Sequence, residues 1–230
     1  MRLASIVPVG LRKRRWEHKV TASYAAGLLA GHEPEAAFLP ALCDRARVSV
    51  DVGANLGGYT LLLRKHSARV IAYEPNPDLA TRLERVFRLS RSVEVRRCAL
   101  SDTSGIAALR VPSDHGRSTI EAANDIGGRE ASPVEVETRR FDEEALGDVG
   151  FIKIDVEGHE LAVLRGAEGI LRRCRPALLI EASEELVPGA LAAIRAFLEA
   201  LGYRGYVAEN GSLRPVQLSD VARNNFIFRT

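Results

Sequence analysis

From Val48 onward, short apolar runs alternate with longer stretches whose apolar residues recur at helical spacing. Val48–Val52, Arg69–Tyr73 and Val93–Arg97 predict strands, and Leu56 to Lys65 and "DLATRLERVFRLS" predict the helices between them. A strand–helix–strand–helix–strand order predicts a parallel sheet with helices on both faces. The same rhythm resumes later, with strands at "GFIKID" and "PALLIEA" and helices at "HELAVLRGAEGILRR" and "GALAAIRAFLEALG". The end of the chain predicts two final strands, "YRGYVAENGSLRPV" and "NNFIFRT", with a turn at Asn210-Gly211.

Between the two halves the pattern changes. Ile106–Val111 and Val134–Thr138 predict extra strands, separated by "PSDHGRSTIEAANDIGGREASP", a polar stretch with little apolar periodicity. A connection this long inside a compact domain is usually a functional loop. Residues 1–47 form a helical preface, in which Pro34 and Pro40 bracket "EAAFL", ahead of a domain spanning 48–230.

The first strand ends on Asp51 and breaks into "VGANLGG". A glycine turn between a strand and a helix offers backbone N–H groups and a positive helix end to a ligand. A phosphate-binding P-loop would require Lys followed by Ser or Thr, a pair that does not occur in the chain. A dinucleotide loop places a second Gly where the backbone approaches the pyrophosphate, and here that position is Asn55, flanked by Gly53 and Gly57. S-adenosylmethionine carries no pyrophosphate, and a strand-terminal carboxylate such as Asp51 can face its ammonium. Glu74 lies 21 residues past Gly53, a separation at which an acid reaches a ribose diol. Ala99, Leu100 and Ser101 are placed beside an adenine, with Asp102 as a further contact.

"FIKIDVEGHEL" puts Lys153, Asp155 and Glu157 on one face of an extended stretch, ahead of Gly158 and a helix. In an open α/β sheet, ligands sit at the carboxyl ends of strands, where Asp155 and Glu157 fall. With His159 they form a group able to hold a cation or accept a proton from a hydroxyl. Glu160 is assigned to the positive end of the following helix.

"VDVGANLGGYT", "VIAYEPNP", "ALSD", "FIKIDVEGHELAVLRGA" and "RPALLIEA", taken together and in this order, resemble the FkbM-type family of S-adenosylmethionine-dependent methyltransferases. The resemblance runs from about Val48 to Thr230, and "DHGRSTI" is similar to the family's Gly-Ser segment. It implies a Rossmann-like class I α/β sandwich: a mostly parallel seven-stranded sheet with an antiparallel last strand, and extra strands inserted after the third. It also implies O-methylation of a sugar, glycolipid or polyketide-type hydroxyl, with the N-terminal extension shaping the acceptor site. His159 or Asp155 is then the expected base, with His115 as an alternative, and His115, Ser118 and Glu157 are expected near the acceptor. No metal is assigned.

Two other classes compete. One is a nicotinamide-dependent oxidoreductase on the same fold, which Asn55 disfavours. The other is a binding module that holds S-adenosylmethionine without transferring its methyl group. A net charge of +2 and the lack of a basic stripe beyond "LRKRRWEHK" argue against nucleic acid as the partner. That basic cluster is read as a solvated face, and His18, His32 and His66 as surface residues. No apolar run approaches a membrane span, and three scattered Cys without a CxxC pair suit a reducing, cytoplasmic setting. Oligomeric state is left open, a homodimer included.

Overall fold

The structure, a computed structural model, describes residues 9–112, 118–121 and 131–230. It opens with helix α1 (Val9–Gly27), a π turn (Leu28–His32), a 3-10 turn (Pro34–Phe38) and the short α2 (Leu39–Leu42). Then follow β1 (Val48–Val52), α3 (Gly58–Leu63), β2 (Arg69–Tyr73), α4 (Pro77–Phe87) and β3 (Val93–Arg96). Three further strands are β4 (Ala99–Ser101), β5 (Gly105–Pro112) and β6 (Ala131–Arg140). The second half holds β7 (Val149–Ile154), α5 (Glu160–Gly166), α6 (Glu168–Cys174), β8 (Ala177–Glu181) and α7 (Ala190–Ala200). Strands β9 (Arg204–Glu209), β10 (Ser212–Pro215) and β11 (Asn225–Arg229) close the chain.

The main sheet runs β10-β9-β11-β8-β7-β1-β2-β3. Strands β3, β2, β1, β7 and β8 are mutually parallel, and β11 lies antiparallel between β8 and β9. These are the expected seven strands with the last one reversed. An eighth, β10, extends the edge through a hairpin on β9. Its turn places Asn210 and Gly211 at φ 49° and 74°, as the left-handed pair of a two-residue hairpin demands. The extra strands form a separate sheet, β4-β6-β5. The third strand therefore stops at Arg96, and Ala99–Ser101 belongs to this second sheet rather than to the tail of the first.

The cores follow from the apolar faces. Val50, Ile71, Ile152, Ile154, Leu178 and Ile180 meet Leu164, Leu171, Leu191 and Ile194 of α5, α6 and α7 on one face. Tyr59, Leu62 and Leu63 of α3 meet Leu28 and Leu39 of the extension and Phe151 on the other. Strand-end chemistry sets α4: Asn76 accepts N–H bonds from Asp78 (3.0 Å) and Leu79 (3.4 Å), and Pro77 occupies the first helical position.

The single helix expected over "HELAVLRGAEGILRR" is two. Ala167 (φ −97°, ψ 4°) leaves helical geometry, and the second helix is capped from outside. Asp142 accepts from the N–H groups of Gly169 and Ile170, both at 2.8 Å. Gly166, at the break, packs so tightly that a Cβ there would lie 1.9 Å from the Ser101 carbonyl oxygen.

Candidate functional site

The loop after β1 is built on three left-handed residues, Gly53 (φ 78°), Asn55 (φ 48°) and Gly57 (φ 79°). At Gly53 a Cβ would sit 1.8 Å from the Asp155 carbonyl oxygen, because the ends of β1 and β7 are in contact there. Asp155 N–H donates to Val52 O at 3.1 Å in the same place. Asn is the side-chain-bearing residue that best tolerates left-handed backbone, which accounts for Asn55. Its N–H donates to Glu74 Oε2 at 2.7 Å, while Asn76 N–H donates to Glu74 Oε1 at 2.9 Å. Glu74 is thus a buried carboxylate clamped by the backbone at both oxygens. Burial pushes its carboxyl up to about 7, against the pull of those two N–H groups.

Asp51 and Lys153 lie side by side in the sheet. Asp51 is fully buried and accepts from Thr60 Oγ1 at 2.5 Å, and its Oδ1 has no hydrogen-bond partner among the described residues. Burial raises its carboxyl, with Lys153 opposing. Lys153 Nζ donates to Asp155 Oδ2 at 2.6 Å and lies 5.0 Å from the Tyr59 ring centroid. Burial by itself would lower the ammonium, but Asp155 and Asp51 outweigh it and hold Lys153 above its usual range.

Beyond Asp155 the chain is not extended. Strand β7 ends at Ile154 and Glu157 is left-handed (φ 53°), so the expected shared face of Lys153, Asp155 and Glu157 stops at Asp155. Glu160 holds this turn by accepting from Val156 and Gly158 N–H, both at 3.1 Å. The turn delivers Asp155 and Glu157 next to Glu181, the last residue of β8. One carboxylate oxygen from each lies within 4.8 Å of the others, the one such acidic group among the described residues. Burial first, and then Asp155, push the Glu181 carboxyl up to about 10. The Glu181 carboxyl is thus held toward its protonated form, in which it can donate to Asp155. An all-carboxylate set of this kind suits a hard cation.

His159, at the start of α5, is bonded on both sides. Its Nδ1 lies 2.5 Å from Glu121 Oε1 and its Nε2 2.9 Å from Ser101 Oγ.

These groups surround one cavity of about 240 Å³ at the carboxyl ends of β1, β2, β7 and β8. Of the residues expected from the sequence, Gly53, Asn55, Glu74, Ala99, Leu100, Ser118, Asp155, Glu157 and His159 line it. Asp51, Gly57, Ser101 and Asp102 stand behind the wall, where Ser101 supports His159 and Gly57 packs on Leu83 and Phe87. His115 lies outside the described residues. Tyr24, Glu33, Ile120 and Glu181 also line the cavity and were not expected. Glu181 carried a readable sign, an acid closing the apolar run "ALLIE" in the position Asp155 takes after β7. Tyr24 and Glu33 carried none, because the packing of the extension brings them in. Thr21 Oγ1 donates to Leu56 O at 2.8 Å, Arg85 binds the buried Glu17, and Tyr59 OH donates to Glu33 Oε2 at 2.7 Å.

Residues 51–204 match the Methyltransferase FkbM domain. The chain is 29% identical over 154 residues to methyltransferase sdnD of Sordaria araneosa, covering 52% of this chain and 60% of that protein. It is 32% identical over 127 residues to the hexuronic acid methyltransferase AglP of Haloferax volcanii, covering 53% and 50%. The chain thus spans about half to three-fifths of the length of these relatives. The crystal structure of a methyltransferase FkbM from Methylobacillus flagellatus superposes with a TM-score of 0.54 at 16% identity, covering 96% of this chain and 58% of that one. A family match over two thirds of the residues, on the sheet order just described, makes this chain a member of the FkbM methyltransferase family, whose methyl donor is S-adenosylmethionine.

Proposed function

We propose that the chain transfers a methyl group from S-adenosylmethionine to a hydroxyl of a sugar, glycolipid or polyketide-type small molecule. The observation that carries this reading is that one cavity unites the left-handed Gly53–Asn55 loop and Glu74 with Asp155 and His159. The kinship with a hexuronic acid methyltransferase supports a sugar-like acceptor. Three free thiols suit a reducing cytoplasm. Among the described residues, no helix is long and apolar enough to cross a membrane.

In this reading Glu74, held at both oxygens by backbone N–H groups, keeps lone pairs directed at the ribose diol. Ala99 and Leu100 flank the adenine. Asp51 acts from behind the loop, through Thr60 and Lys153, rather than by touching the donor. The extension from Val9 to residue 47 covers the acceptor end, since Tyr24 and Glu33 reach the cavity. The cofactor supplies an electrophilic methyl on a sulfonium. The chain aligns the acceptor oxygen with that methyl, excludes water and takes the hydroxyl proton, a base being worth roughly 10²–10⁴-fold.

His159 takes the proton through Nε2. Ser101 bonds the same nitrogen, so an acceptor hydroxyl reaches it only by displacing Ser101. Asp155, which lines the cavity and accepts from Lys153, is the second reading for the base. Calorimetry with S-adenosylhomocysteine and NADH, followed by an acceptor screen with tritiated S-adenosylmethionine, tests the reading. Micromolar binding of S-adenosylhomocysteine and label transfer to a polyhydroxyl acceptor are expected. Tight NADH binding alone would overturn it.

A further inference from the structure

A carboxylate side chain that nothing in the motif pattern marks faces the imidazole at the site. Glu121 belongs to the crossover between β5 and β6, far in sequence from the "KIDVEGHE" turn. Its Oε1 lies 2.5 Å from His159 Nδ1. Thr119 secures the placement. Its Oγ1 donates to Glu157 O at 2.9 Å and accepts from Glu121 N–H at 3.1 Å. Its backbone pairs with Arg110 of β5 at 2.8 and 3.2 Å. Thr119 is buried, and the alternation of the segment turns Ser118 and Ile120 into the cavity.

The hydrogen-bond inventory then fixes the ring. An ionised carboxylate only accepts, so Nδ1 must carry a proton to bond Glu121. On the other side Ser101 Oγ has one proton and two neighbours, His159 Nε2 at 2.9 Å and Asp102 Oδ1 at 3.2 Å. When the ring is neutral, Ser101 donates to Nε2. When Nε2 is protonated, it donates to Ser101, which turns its own proton to Asp102. The Glu121–His159 and His159–Ser101 bonds are made in both states, the Ser101–Asp102 bond only when Nε2 is protonated, and Nδ1 carries a proton in both.

We propose that Glu121 is a positioning residue, which holds the proton on His159 Nδ1 so that Nε2 is the nitrogen that gains and loses protons. The assignment deepens the methyl-transfer reading, since it says which nitrogen of the proposed base works, but its test does not depend on that reading. A side chain that merely filled space beside the ring would leave the tautomer unchanged.

Long-range proton–nitrogen NMR of the full chain with ¹⁵N-labelled histidine reads the tautomer directly, with His159 assigned by the signal lost in His159→Gln. At a pH where the ring is neutral, the wild type is expected to show Nδ1–H. Glu121→Ala removes the acceptor, and Glu121→Lys places a donor there. In both, the two ring-nitrogen shifts should exchange toward the Nε2–H form that free imidazole prefers. Glu121→Gln keeps a carbonyl oxygen and should retain Nδ1–H. The side chain is 39% exposed, so the variants are expected to fold. An Nε2–H wild type, or an unchanged tautomer in both Glu121→Ala and Glu121→Lys, overturns the proposal. S-adenosylhomocysteine titrated into the same samples separates the two readings. Binding with an unmoved tautomer removes Glu121 and spares the function; a moved tautomer without binding does the reverse.

Discussion

The backbone N–H of Asn55 donates to the Glu74 carboxylate at 2.7 Å, joining the turn after the first strand to the end of the second. The other Glu74 oxygen takes Asn76 N–H, the residue that caps α4. One side chain therefore shapes the glycine loop, the entry to a helix and the wall of the cavity.

Replacing Glu74 by Ala leaves two backbone donors in a buried site without their acceptor, a cost of about 2 kcal/mol or more. Urea denaturation should show that loss. Calorimetry should show S-adenosylhomocysteine binding weakened by about tenfold or more, equivalent to about 1.4 kcal/mol. Unchanged affinity in a folded Glu74→Ala protein would remove Glu74 from the cofactor site.

Gly53 and Gly211 separate two reasons for glycine. Both are left-handed, at φ 78° and 74°, but a Cβ at Gly211 meets nothing within 4 Å whereas at Gly53 it strikes the Asp155 carbonyl. Gly211→Ala should cost about 1 kcal/mol, the backbone strain alone. Gly53→Ala should cost about 3 kcal/mol or more, since β1 and β7 must part. Equal losses in urea melts of the two variants would show that the contact between the strand ends is unimportant.

What could be read from the sequence and what could not divides along the range of the interactions. The strands of the main sheet and the Asn-Gly hairpin were legible because their causes lie within a few residues, whereas the Asn76 cap and Pro77 at the entry to α4 went unread. The strand-end placement of Asp155 was legible too. Asn55 was legible only in part. It stood out as the missing second glycine of a dinucleotide loop, whereas its physical ground is a left-handed backbone whose N–H meets Glu74. The break between α5 and α6 was hidden, because its cap comes from Asp142, 27 residues before Gly169. Glu121 beside His159, and Tyr24 and Glu33 in the cavity, depend on tertiary packing that no local pattern encodes.

The hidden cap gives its own prediction. Asp142→Ala should destabilise the chain by about 1–2 kcal/mol, the usual value of an N-terminal cap. Asp142→Asn keeps one accepting oxygen and should recover part of that in thermal melts. Since Asp142 does not line the cavity, S-adenosylhomocysteine affinity should stay within about twofold in both. A stable Asp142→Ala protein would mean that α6 is held by its apolar face alone.

Glu181 supplies the pH test. Its folded-state carboxyl sits near 10 against an ordinary 4.5, so the folded chain holds a proton there that the unfolded chain releases. The corresponding stability is fully present below about pH 4.5 and is lost progressively as pH climbs toward 10. Glu74 and Glu160, each raised to about 7, act in the same direction at lower pH, so the informative window lies above pH 7.5. Glu181→Gln replaces the protonated carboxyl by a neutral amide that can still donate to Asp155. Across pH 7.5–9 the wild type should lose stability relative to the variant by on the order of 1 kcal/mol per pH unit. Parallel stability curves for the two proteins in urea titrations over that window would show that Glu181 is already ionised there.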